Sequence, residues 1–337
     1  MSTPMSRYSN SVHDVNPSGE TLRRDEGALK AMYEMAPYPD LGANLKDMGL
    51  YINPVLADLE RRAGVRFLDA GCGTGHYIVG VAKQHPDWRC YGTDLSGPSI
   101  EVARQLADLH KTAVEFHKGT YLEPLPFEPG FDVICALGTI HHTADPVAAM
   151  KALRTMLRDD GYLFLHLYGW RADREKFDIK EALSILEPDL MNHKRRFELY
   201  DALMRHRRGR WLKRLLTTSP LDAYVLVRNY SRNLWRKMRG ISWSPPWWAR
   251  YDAPTAPWID HFCNPCERAY EVPEVQALLD ASGFKVIHML HHARVFPQLI
   301  PPEWKVVHDA LDDWSKWRMS ELLTTGGGSF GMIVRKA

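Results

Sequence analysis

Apolar and polar positions along the chain follow two periods in turn. Val65–Leu68 is an unbroken apolar run, as expected of a short strand buried on both faces. Glycines at 71, 73 and 75 interrupt it, and from His76 to Ala82 the apolar residues return at helical spacing. This pattern predicts a strand, a tight glycine turn and a helix. Further strands are predicted at Arg89–Leu95, Val114–Thr120, Phe131–Gly138 and Tyr162–Tyr168, with helices at Pro98–His110 and Asp145–Arg158. Such alternation predicts a parallel sheet covered by helices on both faces. Upstream, residues 17–35 carry a helical stripe that includes Leu22, Leu29, Met32 and Tyr33. It closes at Ala36-Pro37-Tyr38-Pro39, where two prolines forbid continuation. A helix over Leu45–Arg62 then leads into the first strand.

The alternation is interrupted over residues 170–270, which read as helical, aromatic and basic. It resumes with a helix at Val272–Ala281, a stop at Gly283 and a strand at Phe284–Leu290. A helical segment at Pro302–Leu323 and a last strand at Ser329–Arg335 complete the pattern. Four stretches are therefore expected: an N-terminal arm (1–44), a core (45–169), a helical insertion (170–271) and a return to the core (272–337).

Composition narrows the class. A chain of 337 residues with 45% hydrophobic residues can bury a sizeable core. There is no run of eighteen apolar residues, so no membrane span is expected, and residues 1–16 lack an apolar signal segment. Five cysteines, an odd number, do not suggest a disulfide framework and fit a reducing cytoplasm.

Candidate chemistry gathers at the predicted strand ends, because ligands of open α/β sheets bind beyond the carboxyl ends of the strands. Glycine at three alternate positions removes every Cβ from the inside of the turn, next to the positive end of a helix. A dinucleotide fingerprint would require glycine at position 76, which is His76. The spacing present is Asp-x-Gly-x-Gly-x-Gly: Asp69, Gly71, Gly73 and Gly75. It resembles motif I of the class I, Rossmann-like S-adenosylmethionine (SAM) methyltransferases.

That resemblance implies an α/β, Rossmann-like, seven-stranded sheet, mostly parallel with an antiparallel last strand, and a helical insertion or lid after the fifth strand. It also implies SAM as cofactor and S-adenosylhomocysteine as product. Asp94, after the second strand, would accept hydrogen bonds from both ribose hydroxyls, and Leu95 beside it would also border the cofactor. Gly119, Thr120 and Tyr121 would border the adenine. The family usually places an acidic residue near position 120, and this chain has none. Leu137 and Gly138 would complete the cofactor site. The segment His141-His142-Thr143-Ala144-Asp145-Pro146 resembles the His-His-x-x-Asp-Pro element found beside the transferred methyl group. Tyr33 and Tyr38 either belong to a packing arm or cover the pocket, Tyr33 on the cofactor side and Tyr38 on the acceptor side.

Methyl transfer is a displacement at a sulfonium, so alignment and exclusion of water are the main requirements. A hydroxyl or protonated-amine acceptor gains from a general base, for which His142 and His141 are the candidates. A thiolate or thioether would need little base, and the histidines would then only position it. Within residues 193–240, fourteen Lys and Arg face three acids, a local charge of +11 against +2 for the whole chain. Such charge is commonly a solvated helix face. It could otherwise hold a small anionic acceptor, bind RNA backbone or lie on an anionic membrane. The favoured reading is a lid that lends arginines such as Arg195 to an acceptor pocket walled by Tyr168 and Trp247. Cys263-x-x-Cys266 supplies one ligand pair where a structural zinc commonly uses two, so no metal is expected. The expected activity is methylation of a small, anionic metabolite. An RNA or protein methyltransferase and a non-catalytic SAM-binding protein are the alternatives.

Overall fold

The computed structural model describes residues 19–204, 253–290, 302–323 and 329–337. The chain divides into two compact units, one of Met1–Glu175 with Asn264–Ala337 and one of Lys176–Cys263.

The first unit is built on a seven-stranded sheet in the order β3-β2-β1-β4-β5-β7-β6. The strands are β1 (Arg66–Ala70), β2 (Arg89–Asp94), β3 (Val114–Lys118), β4 (Phe131–Leu137), β5 (Leu157–Leu167), β6 (Phe284–Met289) and β7 (Phe330–Lys336). Strands β1 to β5 pair in parallel, and β7 runs antiparallel between β5 and β6. Neighbouring residues on the central strands serve opposite faces. Phe67, Val133, Cys135 and Phe164 join one core cluster, and Leu68, Ile134, Ala136 and Leu165 join the other. All eight are buried, and this double burial is why these strands read as continuous apolar runs.

The helices are α1 (Gly19–Met35), α2 (Gly49–Ile52), α3 (Leu56–Leu59), α4 (His76–Gln84), α5 (Gly97–His110), α6 (Pro146–Met156) and α7 (Trp170–Leu186). Beyond them come α8 over residues 193–204, α9 (Ala256–Cys263), α10 (Val272–Ser282), α11 (Lys305–Asp309) and α12 (Asp313–Leu323). Local chemistry sets their starts. Ser96 caps α5 by accepting from Ser99 N, Asp145 caps α6 by accepting from Ala148 N, and each helix has proline in its first turn.

Several expected boundaries move, each for a visible reason. The single helix expected at Leu45–Arg62 is split into α2 and α3, because Pro54 has no N–H to donate. The helix expected over Pro302–Leu323 is a 3-10 turn followed by α11 and α12. Asp312 starts the last of these afresh, its carboxylate accepting from Ser315 N at 2.9 Å and Ser315 Oγ at 2.7 Å. Strand β1 reaches Ala70 rather than Leu68, so Asp69 lies inside the strand. Strand β5 begins at Leu157, inside the helix expected to Arg158. Leu157 pairs with Phe131, the ladder then jumps to Tyr162 against Val133, and the expected Asp159-Asp160-Gly161 turn lies between the two paired stretches.

The amino ends of the strands are tied by charge. Asp132 takes hydrogen bonds from Arg62 at 2.9 Å and Arg158 at 2.6 Å, and Asp58 takes them from Arg62 at 2.7 Å and from the Tyr162 hydroxyl at 3.0 Å. The opposite, carboxyl edge carries the candidate chemistry. No helix among the described residues is long and apolar enough to cross a membrane.

Candidate cofactor and acceptor site

The glycine turn is anchored to the end of β2. Gly71 N and Cys72 N both donate to Thr93 O, at 2.8 and 2.9 Å, and Gly75 N closes the turn on Cys72 O at 2.9 Å. Asp94 ends β2 beside it. One carboxylate oxygen accepts from Gly73 N at 2.8 Å, the other from Ser96 N at 2.9 Å. Gly119 N donates to Asp94 O at 2.9 Å, and Thr93 Oγ1 donates to Gly119 O at 3.1 Å, which brings in the end of β3. Gly138 follows β4 at φ +79°. The structure therefore gathers Gly71, Gly73, Gly75, Asp94, Gly119 and Gly138 at one edge of the sheet. A carboxylate has about four lone-pair sites, so Asp94 keeps capacity for two hydroxyl donors after meeting the two backbone N–H groups. That is what a ribose diol requires, and the fit to an adenosyl group holds on this ground.

The N-terminal arm is hydrogen-bonded to the glycine turn and to the start of α5. Tyr38 O accepts from Thr74 N at 3.1 Å, Pro39 O from Thr74 Oγ1 at 2.5 Å, and Tyr33 O from Ser96 Oγ at 3.0 Å. Gly73 sits at φ +52°, and a Cβ there would lie 2.2 Å from Tyr38 O. So this glycine admits the arm's own backbone, a role the motif alone does not reveal. A Cβ on Gly71 would instead meet Thr139 Cγ2 at 2.3 Å. Thr139 Oγ1 is buried with no hydrogen-bond partner among the described residues, and so offers a polar contact beside the turn. Thr74 and Thr139 escaped the sequence reading because neither position carries a motif signal.

The other residues expected around the cofactor are placed less distinctively. Thr120 Oγ1 accepts from its neighbour Leu122 N at 3.2 Å, and Leu95, Tyr121 and Leu137 are half-buried.

Two carboxylates share this edge. Asp69 is buried, and burial pushes its carboxyl up to about 7, opposed most by a hydrogen bond with the Cys135 thiol and less by Lys46, with the nearby Asp94 charge adding to the rise. Asp94 is also raised, by burial, while its two backbone donors oppose the rise. Burial lowers the Lys46 ammonium, with Asp69 opposing. The sign for stability follows from linkage. An unfolded aspartate ionises near 3.9, so between about pH 4 and 7 the unfolded chain has released a proton that folded Asp69 still holds. Stability then falls as pH rises across that window. Asp69→Asn removes this contribution. Denaturant melts at pH 4.5 and 7 should show a smaller loss of stability for the variant than for the parent.

Beyond β4, Ile140–His142 form a 3-10 turn in which both histidines are buried. The His141 ring lies 3.9 Å from the Tyr168 ring and 4.3 Å from His142, centroid to centroid. Residues 264–270 strap this turn down. Arg268 N donates to His141 O at 2.9 Å, Arg268 Nη2 to Ala144 O at 2.8 Å, and Tyr270 N to Tyr168 O at 2.9 Å. His142 Nδ1 lies 3.0 Å from Cys266 O and 3.1 Å from Asn264 Nδ2, and Asn264 Nδ2 is 3.3 Å from the Tyr33 hydroxyl. The structure thus unites His141, His142, Tyr168 and Tyr33, and adds Asn264, which carried no signal in the sequence.

The second unit holds Arg195, which is exposed and pairs with Glu198 on its own helix at 3.3 Å. Its neighbour Arg196 is buried instead, donating to Glu187 O at 2.5 Å, Ser184 Oγ at 3.3 Å and Phe262 O at 2.8 Å. Trp247 and the basic positions from 205 to 240 lie outside the described residues. Cys263 and Cys266 are buried cysteines that are not in a disulfide, and burial pushes the Cys263 thiol up to about 11.

Residues 68–163 match the protein family described as "Methyltransferase domain". The chain is 24% identical over 263 residues to an uncharacterised protein of Synechococcus, covering 77% of this chain and 57% of that protein. It is 33% identical over 110 residues to the tRNA U34 carboxymethyltransferase of Campylobacter lari, covering 32% of this chain and 36% of that one. Among solved structures, PKMT2 from Rickettsia typhi in complex with AdoHcy shares the fold. Its TM-score is 0.58 at 15% identity, over 94% of this chain and 52% of that chain. The chain spans between about a third and three fifths of the length of these proteins.

Proposed function

We infer, from the premise that residues 68–163 are a methyltransferase domain of the class I, SAM-dependent type, that this chain transfers a methyl group from SAM to an acceptor held beside Thr139–His142. The observation that carries the reading is Asp94. Its carboxylate braces Gly73 of the glycine turn and keeps lone pairs for both hydroxyls of a ribose. SAM, when bound, supplies an electrophilic methyl on a sulfonium. Everything else falls to the chain. Asp94 orients the adenosyl moiety, with Gly71 and Gly73 letting Thr139 and the Tyr38 backbone close on the turn and Gly138 leaving open space beyond β4. Tyr33 and Tyr38 of the arm cover the pocket, Tyr33 on the cofactor side and Tyr38 on the acceptor side. Buried His141, packed on half-buried Tyr168, keeps water from the acceptor, which serves a displacement that depends on alignment rather than on strong acid catalysis.

For the acceptor we favour a small anionic metabolite, with His142 as the polar side chain that meets it and Tyr168 as a wall. The partial likeness to a tRNA-modifying enzyme, together with the basic residues between 193 and 240, supports RNA as the second reading. Titration calorimetry with SAM and S-adenosylhomocysteine tests the first half, and the reading requires micromolar or tighter binding of at least one. Incubation of the protein with isotopically labelled SAM and a metabolite extract tests the second. A labelled product that survives ribonuclease and passes a small-pore filter supports the metabolite reading. Label retained in a ribonuclease-sensitive fraction replaces it with the RNA reading.

A further inference from the structure

The polar junction at Asn264 bears on what His142 can do, and it deepens the reading just given, on whose acceptor site it rests. Cys266 N donates to Asn264 Oδ1 at 3.0 Å. A backbone N–H can only donate, so the side-chain atom facing it must be the amide oxygen, and the orientation of this amide is fixed. Its other end, Nδ2, therefore faces His142 Nδ1 at 3.1 Å and the Tyr33 hydroxyl at 3.3 Å. An amide nitrogen has two hydrogens and no lone pair to offer, and it can supply one hydrogen to each neighbour. His142 Nδ1 has a second neighbour, Cys266 O at 3.0 Å, to which it could donate if it carried a proton. The two contacts exclude one another. A bare Nδ1 accepts from Asn264, whereas a protonated Nδ1 donates to Cys266 O and opposes an N–H of the amide. Asn264 and His142 are both buried, so a mismatched donor there has little water to turn to.

We propose that Asn264 is a positioning residue that holds neutral His142 with its proton on Nε2, through the amide that Cys266 N locks in place and that also reaches Tyr33. The consequence is chemical. In that tautomer Nε2 presents an N–H, which can hold a carboxylate or carbonyl oxygen of an acceptor but has no lone pair with which to remove a proton. The site then suits acceptors whose reacting atom is already nucleophilic, such as a thiolate, a thioether or a neutral amine. The Cys266 carbonyl remains beside Nδ1 as the partner that receives the second proton if the ring is protonated.

Two-bond nitrogen–proton correlation spectra of the full-length protein, labelled with 15N-histidine and assigned with a His142→Gln variant, read the tautomer directly and need no acceptor. The expected result for the parent at pH 8 is a bare, pyridine-type Nδ1 and a protonated Nε2 for His142. Asn264→Asp keeps an oxygen for Cys266 N and replaces the amide donor by an acceptor. His142 should then carry its proton on Nδ1 and titrate at higher pH, because the carboxylate favours the imidazolium. A parent spectrum with the proton on Nδ1 overturns the proposal on its own, whether or not the variant folds. An unchanged tautomer in a folded Asn264→Asp protein also overturns it. SAM calorimetry on the same samples separates the two readings. Loss of SAM binding in the parent would sink the methyltransferase assignment and leave the tautomer result intact.

Discussion

Asp94→Ala should weaken SAM binding at least tenfold, and nearer a hundredfold if both ribose hydroxyls are held. A hydrogen bond to a charged group contributes about 1.5–3 kcal/mol, and about 1.4 kcal/mol is a factor of ten in affinity. The variant also leaves Gly73 N and Ser96 N without the oxygens they now donate to, so part of the loss will come from a loosened turn. Asp94→Asn separates these contributions. Each carboxylate oxygen accepts from a backbone N–H, so an amide must turn its NH2 toward one of those donors whichever way it is placed. Its affinity should therefore fall clearly too, despite the near-identical shape. Calorimetry reads both variants. Parent-like affinity in Asp94→Ala would mean that the adenosyl group is held elsewhere.

Gly73→Ala is expected to be the most damaging single methyl addition at this edge. The residue sits at φ +52°, in the left-handed region that costs an L-residue about 1–2 kcal/mol. Its Cβ would also lie 2.2 Å from Tyr38 O, a backbone atom that cannot swing aside as a side chain can. Either the turn distorts or the arm lifts, with loss of the Thr74 N to Tyr38 O bond. A total of more than about 2 kcal/mol follows, and a unit of this size melts about 2–4 °C lower per kcal/mol. The expected fall is thus about 5 °C or more, accompanied by loss of SAM binding. Gly138→Ala is the matched control. Its φ is +79° but no heavy atom lies within 4 Å of the added carbon, so it bears the backbone strain alone. If the two variants melt within a degree of each other, the arm does not press on the turn as described.

The sheet and its carboxyl edge were legible because their signals are local. A buried strand writes itself as an apolar run, and a turn that must approach another backbone writes itself as glycine. The sequence therefore located Gly71, Gly73, Asp94 and Gly138 at strand ends without any tertiary information. Helix breaks were less legible, because the apolar period runs on across Pro54 and across Asp312 even though the hydrogen-bond ladder does not. What could not be read was pairing at a distance. Asn264 meets Tyr33 across 231 positions and His142 across 122, and no composition or spacing near any of the three records it. Arg195 and Arg196 illustrate a different limit. Adjacent residues on a helix point about 100° apart, so a charge count that marks both cannot tell that one faces solvent and the other the interior.

The place of β7 in the sheet has a consequence for biosynthesis. Among the described residues, strand β6 joins the sheet through β7 alone, and β7 is read from the message some forty codons later. Until Phe330–Lys336 leaves the ribosome, β5 remains an open edge with unmatched amide groups, and β6 has nothing to join. A nascent chain stalled before that point displays a five-stranded intermediate that invites wrong partners. The second unit, encoded between β5 and β6, emerges while that edge is still bare, so chaperone demand should persist through its synthesis and fall only when β7 slides into its slot.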